Sequence, residues 1–242
     1  PWVVSNSEGS GRGAMTLARA SQLSVNTVFA RVVWEIGAKK VATIGKKMGI
    51  ETPLGEYPSM ALGAANVTPL EMASAYGTLA NAGVHYDPIA ITKVIDPDDE
   101  VLLDAEPKGE RAISAEVAGA TNDVLRGVIT QGTARRANIG RPAAGKTGTS
   151  QNHRDVWFVG YTPQLATAVW VGHRTEQTIY VNGRRAFGGT VAAPIWAEFM
   201  AAALEGEPKL NFKKAARPKY NASKFKIESG VVPTDEIGRA HV

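Results

Sequence analysis

The chain has 242 residues, of which 44% are hydrophobic and 21% charged, and its formal net charge is +4. This composition is typical of a globular protein with one or two domains, and it contains no long apolar run that could span a membrane. Because the chain has no cysteine, a disulfide framework, a thiolate zinc site and a cysteine nucleophile are all excluded.

The positive charge is concentrated towards the C-terminus. Seven basic residues and no acidic residue lie between Lys209 and Lys226, whereas the preceding part of the chain is nearly neutral. We therefore predict a domain over residues 1–204 and a basic, poorly ordered tail over 205–236. The tail contains no recognition motif for nucleic acid, so we expect no nucleic-acid partner.

The two ends of the chain receive no functional role. The chain begins at Pro1 instead of Met, so we expect it to be part of a longer protein, with any targeting segment or membrane anchor upstream. The last six residues, 237–242, have the sequence that a widely used sequencing adapter yields when it is translated in one frame. We treat them as adapter-derived.

The first elements are predicted to be helices. An apolar stripe over residues 14–37 has helical spacing, but Ser24 and the two residues after it interrupt the stripe. Since Ser and Asn favour caps and turns, we predict a helix, a turn at Ser24 and a second helix from about Thr27. A further helix is predicted over 38–48, with Gly49 just past its end.

A capping box predicts the next helix. Thr68 is followed by Pro69 and, three residues after Thr68, by Glu71, and this helix is expected to end near Ala80. The remaining predicted elements are a hairpin of 89–95 with 101–104, a helix over 114–127, strands over 144–149, 154–161 and 164–174, and a helix over 191–204. The acidic turn over 96–99 lacks the glycine and closing glutamate of a calcium loop, so we interpret it as solvated.

Two short motifs carry the chemistry. Lys146-Thr147-Gly148 lies on the strand predicted over 144–149, and it supplies a cation, a hydroxyl and then no side chain, so a substrate can approach the strand closely. Ser24-Val25-Asn26 lies at the predicted turn, where a hydroxyl and an amide can face a cleft. Ser-x-Asn and Lys-Thr-Gly are the second and third motifs of the penicillin-binding proteins and class A β-lactamases.

With these motifs, the chain resembles the transpeptidase domain of class A (bifunctional) penicillin-binding proteins. The resemblance extends over roughly residues 5–204 and is carried by Thr16-Leu17, Ser24 to Thr27, Ala61 to Gly63, Val67 to Ala73, Gly132 to Ala134, Gly145 to Ser150, Asp155 to Pro163 and Ala193 to Trp196. It implies an α+β fold with α/β/α layers, like that of serine β-lactamases and D,D-peptidases. A five-stranded antiparallel sheet, flanked by helices, would lie beside a mostly helical lobe, with the active site between them.

The resemblance also implies a role for each motif residue. Ser24 would be a catalytic proton relay and Lys146 the catalytic cation of the third motif. The substrate-binding residues would be Asn26 for the donor peptide, Thr147 and Thr149 for the donor or β-lactam carboxylate, and Gly148 for an open strand edge. The family implies no metal and no organic cofactor.

The first motif, Ser-x-x-Lys, does not precede Ser24. It occurs only at Ser223 to Lys226, after the third motif, and we interpret that match as a coincidence in a lysine-rich stretch. In the family the nucleophilic serine comes before the second motif, so we expect it upstream of Pro1, together with the first two strands of the sheet. The chain alone should therefore not be acylated, and its open sheet edge should make it poorly stable.

The activity implied by the resemblance is that of a peptidoglycan D,D-transpeptidase, which cross-links cell-wall peptides through a serine ester. The expected partners are peptidoglycan stem peptides and β-lactam antibiotics. The expected location is the extracytoplasmic face of the cell membrane, reached through an N-terminal anchor outside this chain. A glycosyltransferase domain upstream is expected from the family only.

Other readings of the same residues remain. Gly140 to Thr147 fits the phosphate-binding pattern G-x-x-x-x-G-K-[ST], but the flanking sequence does not predict the strand before it and the helix after it that this loop requires. Gly9 to Ala14 fits a loose dinucleotide fingerprint with no βαβ unit around it. A penicillin-binding-like module without turnover and a β-lactamase are further alternatives.

Overall fold

The computed structural model describes residues 3–6 and 13–219. Its helices are α1 (Leu17–Leu23), α2 (Asn26–Ile36), α3 (Ala38–Lys47), α4 (Pro69–Ala80), α5 (Ala115–Gln131) and α6 (Ala193–Ala203). Its strands are β1 (Val84–Tyr86), β2 (Lys93–Ile95), β3 (Val101–Asp104), β4 (Gly109–Arg111), β5 (Ala144–Thr149), β6 (Asp155–Tyr161), β7 (Ala166–Gly172), β8 (Tyr180–Val181) and β9 (Arg184–Arg185).

The predicted break between the first two helices is confirmed. Ser24 adopts the left-handed conformation, with φ 54° and ψ 53°, and its N–H donates to the carbonyl oxygens of Ala20 and Ser21. This conformation ends α1, and α2 begins two residues later at Asn26, one residue earlier than predicted. Because an L-residue pays a steric cost in the left-handed region, the packing around Ser24 must hold it there.

The predicted capping box at the start of α4 is also confirmed. The Thr68 hydroxyl accepts from the Glu71 N–H, and the Glu71 carboxylate accepts from the Thr68 N–H at 2.7 Å. The same carboxylate accepts from the N–H groups of Glu51 and Thr52, so it ties the preceding loop to α4. These bonds to backbone N–H groups lower the pKa of Glu71 to about 2.

The main sheet is antiparallel and has the order β5-β6-β7. Successive side chains of β6 point to opposite faces. On one face, Tyr161 contacts Tyr76 of α4 at 5.9 Å between ring centroids and donates to Asn122 of α5. On the other face, Phe158 packs edge-on against Trp196 of α6. Helices therefore cover both faces of the sheet, in agreement with the predicted α+β fold.

A smaller helical cluster lies apart from the sheet. Val33 of α2, Ala38 of α3 and Met60 of a 3-10 turn form its buried centre. The larger core lies around the sheet and contains the fully buried Tyr161 and Trp196. The division into a helical part and a sheet part matches the two-part arrangement that the family resemblance implied.

Several element boundaries differ from the predicted ones. The first strand of the predicted 89–95 hairpin is confined to β2, since Ile89 and Ile91 are exposed and have no strand partner among the described residues. Helix α5 continues through Gly127, the predicted end, for four more residues to Gln131, and Gly132 is its C-cap. The pairs β1–β4 and β8–β9 were not predicted.

The start of the basic tail contacts the domain. Phe212 packs edge-on against Tyr161 with 5.5 Å between ring centroids. The Arg141 guanidinium donates to the Glu207 carbonyl oxygen at 2.7 Å, and the Lys209 ammonium donates to the Gly140 carbonyl oxygen. The rest of the predicted tail lies outside the described residues, as do the Ser-x-x-Lys match at 223–226 and residues 237–242, which we interpret as adapter-derived. No helix in the described part of the chain is long and apolar enough to cross a membrane.

Candidate active site

The two motifs meet in space. The ammonium nitrogen of Lys146 on β5 donates to the Ser24 hydroxyl oxygen at 2.7 Å and to the Thr147 carbonyl oxygen at 2.8 Å. Among the described residues, no carboxylate pairs with this lysine. Burial without a counter-charge disfavours the charged amine and lowers the pKa of Lys146 to about 8. The site therefore holds, beside a hydroxyl, an amine that releases its proton more readily than an exposed lysine does.

The position of Ser24 is set by the packing of α1 against α5. The carbonyl oxygen of Gln22, two residues before Ser24, accepts from the Thr133 N–H at 3.1 Å. A Cβ at Gly127 or Gly132 would lie within 2.4 Å of Gln22 atoms. Glycine at these two positions lets α1 approach α5 closely, and this approach fixes the turn that carries Ser24.

Asn26 is the first residue of α2. Its side-chain N–H donates to the Ser5 carbonyl oxygen at 3.1 Å, and the N–H of Thr27 donates to the Asn6 side chain. The segment that contains Ser5 and Asn6 therefore lies against the start of α2. Asn26 is partly exposed, two residues from the Ser24 hydroxyl, as the prediction of a substrate-binding amide requires.

The two threonine hydroxyls on β5, those of Thr147 in the third motif and of Thr149 just after it, have different partners. The Thr147 hydroxyl oxygen lies 2.7 Å from that of Thr133, and either can be the donor. The Thr149 hydroxyl accepts from the Gly188 N–H at 3.1 Å. Both hydroxyls keep capacity for a further bond, because a threonine hydroxyl offers one donor and two acceptor sites. Thr147 is partly exposed and Thr149 is exposed, so both are accessible to a ligand.

Gly148 lies under a π-helical turn, Gly188–Ala192. A Cβ on Gly188 would lie 2.3 Å from the Trp157 carbonyl oxygen and 2.5 Å from the Gly148 carbonyl oxygen. At Gly148 itself a Cβ would lie 3.1 Å from the Trp157 Cβ, which is a tight contact. The two glycines allow the π-helical turn to lie directly on β5 and β6.

The residues just after the third motif have structural contacts. The Asp155 carboxylate accepts from the Ser150 hydroxyl and from the Trp170 indole N–H, and the Asp155 N–H donates to Ser150. The His153 ring lies edge-on to Phe187 with 4.5 Å between centroids and bonds the Ala186 carbonyl oxygen. These contacts hold the loop between β5 and β6.

The structure rules out the nucleotide-binding alternative. A phosphate-binding loop needs a helix directly after its lysine, whereas residues Ala144–Thr149 form strand β5. Lys146 pairs across the sheet with Val159. Nor do three or more His, Asp or Glu side chains in residues 3–6 and 13–219 come together as a metal site.

Sequence reasoning did not single out Thr133 as a site residue. The triplet Gly132 to Ala134 contributed only to the family resemblance, and no local pattern indicates that its hydroxyl reaches Thr147. The contact depends on the packing of α5 against β5. Through this contact the Thr133 hydroxyl joins the Thr147 hydroxyl in the site that the two motifs define.

The sequence of this chain is similar to those of known proteins. The family model described as "Penicillin binding protein transpeptidase domain" matches residues 2–201. Penicillin-binding protein 1A of Aquifex aeolicus is 36% identical over 213 residues, which are 88% of this chain and 29% of that protein. Penicillin-binding protein 1A of Neisseria lactamica is 34% identical over 88% of this chain and 27% of the relative. The chain thus spans less than a third of these relatives.

Solved structures agree with the sequence comparisons. The PonA1 protein from Mycobacterium tuberculosis in complex with penicillin V superposes with a TM-score of 0.81 and 31% identity, over 88% of this chain and 63% of that one. Penicillin-binding protein 1A from Haemophilus influenzae superposes with a TM-score of 0.80 and 27% identity, over 90% of this chain and 38% of that one.

Proposed function

The chain belongs to the penicillin-binding protein transpeptidase domain family, and we propose that it forms the part of a peptidoglycan D,D-transpeptidase that carries the second and third active-site motifs. The reaction is acyl transfer in two steps. A serine attacks the peptide bond of a D-Ala-D-Ala-ending stem peptide and expels D-Ala, and an amine of a neighbouring strand then attacks the serine ester. A β-lactam reacts at the same serine when its ring opens.

The contact between Lys146 and Ser24 carries this proposal. Both acyl-transfer steps require a proton to leave the attacking group and reach the leaving group. A partly buried lysine with a pKa of about 8, bonded at 2.7 Å to a hydroxyl, is suited to pass that proton in either direction. In this proposal the Ser24 hydroxyl relays the proton. The Lys146 amine holds that hydroxyl in place through its hydrogen bond and places a positive charge beside it when protonated.

The substrate-binding roles follow from the positions of the remaining motif residues. Asn26 binds the donor peptide through its side-chain amide. The hydroxyls of Thr147 and Thr149 bind the donor carboxylate, and Gly148 leaves room for the substrate along β5. Support comes from the exposure of the Thr147 and Thr149 hydroxyls.

The nucleophile lies outside the motifs of this chain. No Ser-x-x-Lys precedes Ser24 in the sequence, and the chain spans 29% of the Aquifex aeolicus relative, so the complete protein has room for that motif before residue 1. We place the complete protein on the extracytoplasmic face of the membrane, with peptidoglycan stem peptides and β-lactams as its ligands.

Labelling with a fluorescent penicillin tests the proposal. The chain of 242 residues is compared with a longer form that includes a Ser-x-x-Lys motif before residue 1. We expect covalent label on the longer form only, and loss of that label in its Lys146→Ala variant. Thr130→Val, which removes an exposed hydroxyl on α5, is the matched control for a substitution without effect.

Label on neither form, with both folded, would contradict a transpeptidase. Reversible penicillin binding in that case would favour the alternative of a binding module without turnover. Label on the 242-residue chain itself would contradict the placement of the nucleophile outside it.

A further inference from the structure

Thr133 lies where the pieces of the site meet. It follows the end of α5, and its N–H donates to the carbonyl oxygen of Gln22 in the turn that leads to Ser24. Its own carbonyl oxygen would lie 2.2 Å from a Cβ on Gly189, so the π-helical turn packs directly on it. The Thr133 backbone is therefore fixed from two sides by elements that border the site.

The Thr133 side chain reaches the third motif. Its hydroxyl oxygen lies 2.7 Å from the Thr147 hydroxyl oxygen, a normal length for a bond between two hydroxyls. Thr133 is exposed and Thr147 is partly exposed, so the pair faces solvent at the edge of β5. A ligand that approaches Thr147 therefore meets a hydroxyl whose orientation is already constrained.

The direction of this bond matters for an anion. A carboxylate accepts hydrogen bonds only, so Thr147 must donate its single hydroxyl proton to it. The Thr133 hydroxyl can then only be the donor to Thr147. A hydroxyl that accepts one bond while it donates another is polarised, and the second bond becomes stronger. A negatively charged ligand thus favours the arrangement in which the Thr133 hydroxyl donates to Thr147 and the Thr147 hydroxyl donates to the carboxylate.

We propose that Thr133 is a positioning residue for carboxylate recognition, which orients the Thr147 hydroxyl towards the carboxylate of the donor peptide or of a β-lactam. This inference rests on the proposed function, since it assigns Thr133 to the same site. Thr133 acts through Thr147 and does not take part in proton transfer. Its effect should therefore depend on the ligand carboxylate and on the Thr147 hydroxyl.

The test uses the longer form that carries Ser-x-x-Lys and measures its second-order acylation rate by a penicillin and by the methyl ester of the same penicillin. Thr133→Val keeps the branched shape and removes the hydroxyl. We expect it to slow acylation by the free acid about five- to tenfold, the effect of one lost hydrogen bond, and to leave acylation by the ester nearly unchanged. Thr133→Ser should retain the wild-type rate, as should the control Thr130→Val.

A double-mutant cycle gives a second measurement. In a Thr147→Val background, Thr133→Val should have no further effect, because the hydroxyl that it orients is gone. Equal losses for acid and ester, or an undiminished effect of Thr133→Val in the Thr147→Val background, would overturn the inference and leave the proposed function standing. If the wild-type longer form is not acylated at all, the proposed function itself is contradicted.

Discussion

The ammonium nitrogen of Lys146 lies 2.7 Å from the hydroxyl oxygen of Ser24, although 122 positions separate the two residues in the chain. Ser24 is held in a left-handed turn by α1, and Lys146 is held on β5, an edge strand of the main sheet. The contact therefore depends on the packing of α1 against α5 and of α5 against β5. It joins the helical part of the molecule to the strand that carries the third motif.

Two substitutions at Ser24 separate its chemistry from its conformation. Ser24→Gly and Ser24→Ala both remove the hydroxyl that we propose as the proton relay, so each should lower acylation of the longer form by about 100-fold or more. Glycine adopts the φ of 54° found at Ser24 without the steric cost that alanine pays there. In urea denaturation we expect Ser24→Gly to be more stable than Ser24→Ala by about 1 kcal/mol. Wild-type acylation of either variant would remove Ser24 from the mechanism.

The lowered pKa of Lys146 should make the free energy of unfolding depend on pH in the alkaline range. Burial lowers the pKa of Lys146 to about 8, below its value in the unfolded chain. Between these two values the unfolded chain binds a proton that the folded chain has released, so stability rises with pH. Relative to Lys146→Met, the wild-type free energy of unfolding should rise above pH 8 by at most about 1.4 kcal/mol per pH unit.

Below pH 8 the difference between wild type and Lys146→Met should stay constant, because the lysine is protonated in both states. Denaturation curves from pH 7 to 9.5 check this prediction. A difference that does not change across this range would show that Lys146 is not desolvated in the folded protein.

Gly188 should tolerate no side chain. A Cβ there would meet the carbonyl oxygens of Trp157 and Gly148 at 2.3 and 2.5 Å, and backbone atoms of a sheet cannot move aside easily. We expect Gly188→Ala to destabilise the fold by about 2 kcal/mol and to reduce acylation of the longer form, because β5 is displaced.

The matched control for Gly188→Ala is Gly77→Ala on α4. A Cβ at Gly77 has the Cβ of Ala166 as its nearest heavy atom, at 3.8 Å, and alanine is the better helix former. It should leave acylation unchanged and stability equal or higher. A Gly188→Ala variant as stable as Gly77→Ala would contradict the close approach of the π-helical turn.

Tyr161 should stabilise the core through its hydroxyl. The hydroxyl donates to the Asn122 side-chain oxygen at 2.6 Å, and both residues are buried. Tyr161→Phe leaves that oxygen without its partner, so we expect a loss of about 1–3 kcal/mol in thermal or urea unfolding. Tyr180→Phe, at a tyrosine 58% exposed on β8, is the control and should change stability by less than about 0.5 kcal/mol. Equal effects would contradict the buried bond.

Features with a local cause were predictable from the sequence. The α4 capping box needs only Thr68 and Glu71 at the right spacing, and the turn at Ser24 needs only a polar interruption of an apolar stripe. The strand order β5-β6-β7 follows from consecutive hairpins. The two candidate active-site motifs were found because each is a fixed triplet, and their meeting at Lys146 and Ser24 agrees with the family resemblance.

Features that depend on tertiary packing were not predictable. The pair β1–β4 consists of two three-residue strands far apart in sequence, too short for an alternation pattern. The bond of Thr133 to Thr147 arises only when α5 packs on β5. The contact of Phe212 with Tyr161 could not be predicted because Phe212 lies in a basic segment that we expected to be poorly ordered.

The most direct measurement is to map the penicilloyl adduct. The longer form is treated with a penicillin and digested, and the modified serine is identified by mass spectrometry. We predict the adduct on the serine of a Ser-x-x-Lys motif before residue 1, with none on Ser24, which acts as a relay and stays unmodified. An adduct on Ser24, or on any other serine within residues 1–242, would contradict the placement of the nucleophile before residue 1.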